Sequence, residues 1–199
     1  LVSGNKVSGV RLASGEEIPA KTVVSNLDAK RTFTKVMDAN DIPPALLNRA
    51  KNFKIRGSSG KLNIALDGMP TFPALPKDSP LTLGHMHFTD TLPRLERAYD
   101  DWKDDRWSAD PYCDTLIPSQ YDPTLAPPGK HMMTVFVQYC PVEPEGGWPD
   151  EKRDAFGQTV VDQIADYSPD FMDLLLHAEI RTPRDREDEG GRSEGKSYP

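Results

Sequence analysis

The strongest apolar alternation in the chain runs from Met132 to Cys140, with Met133, Val135, Val137 and Tyr139 on one side and Met132, Thr134, Phe136 and Gln138 on the other. Both sets are largely apolar, which predicts a strand at the centre of its sheet. "KLNIALDG", residues 61 to 68, has the same period of two: Leu62, Ile64 and Leu66 share one face, Asn63, Ala65 and Asp67 the other. Shorter strands are predicted over Leu81 to Phe88 and Cys113 to Pro118. Elsewhere the spacing becomes helical. Phe156, Val160, Ile164 and Tyr167 recur at three- and four-residue steps and predict a helix from Asp150 to Tyr167, closed by Ser168-Pro169. Leu92, Leu95, Ala98, Tyr99 and Trp102 predict another over Thr91 to Lys103, and a further short helical segment is expected over Asp170 to Leu176.

The chain opens on a predicted hairpin, Val7 to Leu12 and Glu17 to Ser25 around a Ser14-Gly15 turn. Ile18, Ala20, Thr22 and Val24 share one face and Val23 takes the other, so the second strand is expected to be buried on both sides. Asn26 or Asp28 then offers a side-chain oxygen to cap a helix over Ala29 to Met37, and Pro43-Pro44 starts another through Ala50. "MPTFPALPKDSP" carries four prolines and reads as an extended loop. From Thr182 the sequence is dense in charge, Gly and Ser, with no apolar period, and an unstructured tail is expected.

Composition narrows the function classes. Nineteen prolines among 199 residues argue against long uninterrupted helices. The net charge of -7, with no basic stripe interleaved with aromatics, argues against a nucleic-acid partner. No run reaches the roughly 20 apolar residues of a membrane span, and no apolar core follows the first residues as a signal peptide would require. Two cysteines, Cys113 and Cys140, do not make a disulfide framework; free thiols and a cytoplasmic location are expected.

Motifs with chemistry are sparse. "GSSGK", residues 57 to 61, lacks the first glycine and the final hydroxyl of a phosphate loop, and reads as a flexible turn. His85-Met86-His87 places two imidazoles on one strand face, but no HExxH or paired CxxC accompanies them, and no metal is expected. There is no G-x-S-x-G elbow around any serine and no G-x-G-x-x-G between strand and helix. The acidic run "YDDWKDDRW" reads as the solvated face of a helix and its frayed end. No catalytic residue is assignable.

"VSGVRLASGEEIPAKTVVSNLDAKRTF", "SSGKLNIALDGMPTF", "LERAYDDWK", "IPSQYDPTLAPPGKH", "FVQYCP" and "PDFMDLLLHAEIRTPRD", in this order, resemble the FAD-dependent oxidoreductases related to phytoene desaturase and carotenoid isomerase, within the flavin amine oxidase superfamily. The resemblance runs from about Val7 to Asp185. It implies an α+β fold, a mixed sheet flanked by helices like the substrate-binding domain of those enzymes. It divides the chain into a remnant hairpin of the FAD domain (1–28), a substrate-binding-type domain (29–182) and a disordered tail (183–199). It also implies that the intact enzyme uses FAD, and that this chain, without the glycine-rich loop, binds none alone. Ser25 and Asn26 are the candidates for flavin proximity; His85, His87 and Tyr139 are the candidates for the wall of a substrate pocket. A small-molecule substrate, a polypeptide carrying the missing FAD domain and a second copy of the chain are the expected partners. The expected function is that of a fragment of a dehydrogenase, desaturase or isomerase, not redox-active by itself. Its rivals are a binding module without catalysis and a hydrolase built on His131 or Ser119.

Overall fold

In the computed structural model, which describes residues 1–76 and 79–188, the chain begins with two small antiparallel ribbons. β1 (Val2–Ser3) turns into β2 (Lys6–Val7) through Gly4 and Asn5, both at positive φ, the conformation a two-residue hairpin turn demands. β3 (Gly9–Arg11) pairs with β4 (Glu17–Pro19), Val10 opposite Ile18 and Arg11 opposite Glu17, with an ion pair of 2.7 Å across the last pair. The predicted hairpin is therefore present but short. Its second strand ends at Pro19, with one more bond between the chains from the Ala20 N–H to the Ser8 carbonyl at 3.0 Å. Val24 is 89% exposed, which corrects the expectation of a strand buried on both faces.

Asp28, and not Asn26, caps the next helix: its Oδ1 accepts the Arg31 N–H at 2.8 Å. α1 (Ala29–Arg31) continues as a single π turn, Thr32–Val36, close to the predicted span. α2 (Pro44–Lys51) starts on its proline, which loses nothing there because a first-turn N–H has no partner within the helix.

A five-stranded sheet forms the centre of the molecule. Its members are β5 (Ser59–Leu66), β6 (Met86–His87), β7 (Tyr112–Leu116), β8 (His131–Gln138) and β9 (Leu175–Arg181), in the order β6-β7-β8-β5-β9. Every described pair is antiparallel, so the sheet is not the mixed one expected; the α+β class itself stands. β8 is the middle strand, as its doubly apolar pattern predicts. One face is sealed. Leu62, Ile64 and Leu66 of β5, Met133, Val135 and Val137 of β8, and Cys113 and Thr115 of β7 are all essentially inaccessible. Across them lies α4 (Asp150–Tyr167), which buries Phe156, Val160 and Ile164 against this face. Two glycines permit the close approach. A Cβ on Gly60 would stand 2.6 Å from the Phe156 ring, and one on Gly157 would stand 2.5 Å from Ile180. "GSSGK" is accordingly no flexible turn, since Ser59, Gly60 and Lys61 are ladder residues of β5.

Three further elements depart from expectation. Leu81 to Phe88 is mostly not a strand: Ser79 caps a 3-10 turn over Pro80–Leu83, leaving only β6. α3 (Leu92–Lys103) forms as predicted and runs beside β7. After α5 (Phe171–Leu174) the chain extends into β9, where helix is expected up to Leu176. Finally, Thr182 and Asp185 cap each other's backbone N–H groups at the start of α6 (Pro183–Asp188), and Arg153 of α4 pairs with Asp185. Structure therefore extends into the expected tail as far as residue 188; residues 189–199 lie outside the described residues.

Candidate functional site

With α4 covering one face of the sheet, the other face carries the alternate residues of all five strands. A single row crosses it: Arg181 pairs with Lys61, Lys61 with Phe136, Phe136 with Asp114, and Asp114 with His87. Beside that row lie Tyr112, Leu116, Met132, Thr134, Gln138, Asn63 and Glu179. None of these residues is fully buried, whereas the alternating Leu62 and Ile64 of β5, Cys113 and Thr115 of β7, and Met133, Val135 and Val137 of β8 are. Along the middle of this face β8 presents Met132, Thr134 and Phe136, with Leu116 of β7 opposite Thr134. The two flanks of the face are polar.

On the β9 flank, Glu179 accepts from Arg181 at 2.8 Å and from the Asn63 amide at 2.9 Å. Arg181 first, then Asn63, holds the Glu179 carboxyl below the usual carboxylate range. On the opposite flank two histidines meet one carboxylate. His85 donates its Nδ1–H to Asp114 Oδ1 at 2.8 Å, and His87 Nδ1 lies 3.8 Å from the same oxygen. The Tyr112 ring stacks on His87, centroids 5.2 Å apart, with 2.5 Å between its hydroxyl and Nδ1. Burial, then the charges of Asp114 and Tyr139, push the Tyr112 phenol upward. Both imidazoles thus use Nδ1 for the protein. The Nε2 atoms are left for a ligand, on side chains 63% and 44% exposed.

The structure therefore brings His85 and His87 together, and adds Asp114 and Tyr112 to them. Tyr139 follows Gln138, the partner of Tyr112, and turns its ring to Tyr99 and Trp102 of α3, at 5.2 and 5.9 Å. It belongs to the rim of the face. Ser25 and Asn26 lie apart: Ser25 Oγ bonds Thr32 Oγ1 at 2.8 Å and Asn26 is exposed in the segment before α1. Tyr112, Asp114, Phe136 and Glu179 are the residues that sequence reading misses. The available signal was the repeated spacing of two polar groups, His85-x-His87 and Tyr112-x-Asp114, on strands that turn out to be neighbours.

Other candidates recede. Ser119 and His131 do meet, Oγ to Nδ1 at 3.0 Å, but Ser119 Oγ also accepts the Met132 N–H at 3.0 Å, and no carboxylate pairs with His131 among the described residues. That arrangement fixes a turn against β8. A cavity of about 590 Å³ opens among the prolines of the extended loop, but its Thr82 and Gln120 bond one another. Cys113 and Cys140 are free and buried, and burial raises both thiols above their usual range. Among the described residues no group of three or more His, Cys, Asp or Glu is placed to hold a metal ion, and no helix is long and apolar enough to cross a membrane.

No protein-family model matches the chain. Individual proteins do. Pyridine nucleotide-disulfide oxidoreductase domain-containing protein 2 of Rattus norvegicus is 34% identical over 194 residues, 93% of this chain and 33% of that protein. Chloroplastic prolycopene isomerase 2 of an Oncidium hybrid cultivar is 29% identical over 190 residues, 92% of this chain and 29% of the isomerase. The zeta-carotene-forming phytoene desaturase of Myxococcus xanthus is 28% identical over 149 residues, 74% and 26% of the two chains. The chain spans about a third of the length of the curated relatives it matches.

Proposed function

The chain belongs by sequence with the FAD-dependent oxidoreductases of the phytoene desaturase/carotenoid isomerase-like group, and on that premise we propose that it supplies the substrate-facing sheet of such an enzyme. The observation that carries this reading is the two-sidedness of the sheet. One face is closed by α4, while the other presents the half-buried apolar side chains Met132, Leu116 and Phe136 around Thr134, between two polar flanks. An apolar small molecule with a polar or amine-bearing end suits that surface: its body lies on those apolar side chains and its end meets His85, His87 and Asp114. In the assembled enzyme that molecule is dehydrogenated or isomerised.

FAD supplies the redox chemistry in this reading, but the described residues lack the strand–turn–helix device that holds it in a dinucleotide fold. There the pyrophosphate lies on backbone N–H groups at the head of a helix that follows a parallel strand, and every described strand pair is antiparallel. No flavin step is therefore assigned to these residues. Residues 1–28 are read as a piece of the FAD-domain side, a reading supported by the unpaired, exposed Val24. The same exposure favours self-association.

Titration of the chain with cis-parinaric acid, a fluorescent polyene, tests the substrate surface. Saturable binding is expected, weakened about ten-fold by Phe136→Lys because a desolvated ammonium disfavours an apolar contact. Leu92→Lys, on the exposed start of α3, leaves it unchanged. Equal affinity in Phe136→Lys would remove the open face from the proposal. One flavin per chain surviving desalting would overturn the assignment of the cofactor to other polypeptide.

A further inference from the structure

In a chain of net charge -7, one concavity is lined by four cations. Lys30 of α1 faces "KNFKIR", which supplies Lys51, Phe53, Lys54 and Arg56, around a volume of about 460 Å³ with no carboxylate in its lining. We infer that this pocket binds a nucleoside diphosphate or a close analogue, phosphates against the lysines and the flat base on Phe53. The inference is independent of the function proposed above, since the pocket lies off the sheet face and involves none of its residues.

Like charges gathered in one hollow repel one another, and a concave wall concentrates their field. Structural roles account for only part of the set. Lys51 sits in the last turn of α2, where a cation complements the helix dipole. Arg56 is fixed from behind: its guanidinium lies 4.4 Å from the centroid of the Trp102 ring and pairs with Asp105 at 2.5 Å. Lys54 follows the helix on irregular chain, out of reach of that dipole. Neither Lys51 nor Lys54 has a carboxylate within ion-pair distance among the described residues. These two point charges are suited to a phosphate, which lysine engages without the planar geometry arginine prefers. Phe53 is the second feature. Its ring is 51% exposed beside the lysines, although an aromatic of that size gains most from burial. A planar heterocycle stacked on it covers that surface, and sequence-tolerant base stacking on an aromatic ring is a common use of such a platform. The volume is of the size small-molecule sites have.

The test is a titration of the full chain with ADP, followed by amide NMR shifts of residues 51–56. Saturable shifts confined to that segment and Lys30 are expected. Lys51→Gln/Lys54→Gln weakens ADP about ten-fold or more, and Phe53→Ala weakens ADP while leaving the affinity for inorganic phosphate unchanged. Should the double variant fail to fold, Lys54→Gln alone is read instead, with a weakening of about three-fold expected. Shifts that do not saturate, or an unchanged affinity in the lysine variants, overturn the site. Tighter binding to phosphatidylglycerol vesicles than to ADP overturns the nucleotide and assigns the same cations to a lipid surface.

Discussion

Tyr112 and His87 share a hydrogen bond of 2.5 Å between the phenol oxygen and Nδ1 while their rings stack at 5.2 Å. A phenol that donates to a neutral His87 leaves Nδ1 as acceptor and puts the imidazole hydrogen on Nε2, which is the tautomer expected. His85 is set the opposite way by Asp114, so its neutral Nε2 is an acceptor. Removing the phenol hydroxyl should release the first preference. In Tyr112→Phe, long-range 15N–1H spectra at alkaline pH are expected to show His87 as a mixture of tautomers, against a single Nε2–H form in the parent. An unchanged His87 signature would mean that the contact does not set the tautomer.

The two faces of β5 should answer differently to truncation. Leu62→Ala removes a fully buried side chain from the sealed face and should cost about 2–5 kcal/mol in urea unfolding. Lys61→Ala, one residue away on the open face, should change stability by about 0.5 kcal/mol or less. Comparable losses at both positions would mean the sheet is covered on each side.

Gly60→Ala tests how tightly α4 is seated. The added methyl meets the Phe156 ring, so the helix or the ring must shift, at a cost of about 1–3 kcal/mol. Combined with Phe156→Leu the loss should be less than additive, because the second change vacates the space the first one needs.

Stability should fall on acidification. Against burial, which acts to raise it, the Thr71 N–H and hydroxyl and the Ser168 hydroxyl hold the Asp170 carboxyl below its usual range; Glu179 is held down by Arg181. A carboxylate whose folded pKa is depressed binds protons more readily when unfolded. Its contribution is complete above the unfolded value near 4 and disappears as pH drops through the lower folded value. Asp170→Asn should flatten the acid limb of a thermal-midpoint profile below about pH 4. An acid limb of the same steepness in the variant would assign the loss to other groups.

Both thiols should be silent in the native chain. Cys113 is buried with its Sγ–H on Gln163 Oε1, and Cys140 is equally enclosed. At neutral pH a disulfide reagent is expected to titrate neither, and to titrate both at once in denaturant.

The strands that form the core were legible because their buried partner imposes a strict period. Leu62, Ile64 and Leu66 must all face α4, and Phe156, Val160 and Ile164 must all face them. β9 was not legible. "MDLLLHAEIR" satisfies a helical spacing as well as an alternating one, and only the vacant edge of β5 selects the extended form. Leu81 to Phe88 fails for the converse reason: the apolar residues suit a strand, but Ser79 and Pro80 start a 3-10 turn locally. The open face was half visible. His85 and His87 could be seen as a pair, yet Asp114 joins them only through the pairing of β6 with β7, which no local pattern encodes.

The strand order also governs when the molecule can form. β5 lies between β8 and β9, so both its neighbours come from far downstream, and residue 61 must wait for residue 181 to complete its ladder. During synthesis β5 emerges with both edges bare; β8 covers one of them first, and the other waits for β9, more than a hundred residues downstream. A chain interrupted short of β9 leaves that outer edge of β5 with unpaired N–H and C=O groups, the template on which strands of other chains can add.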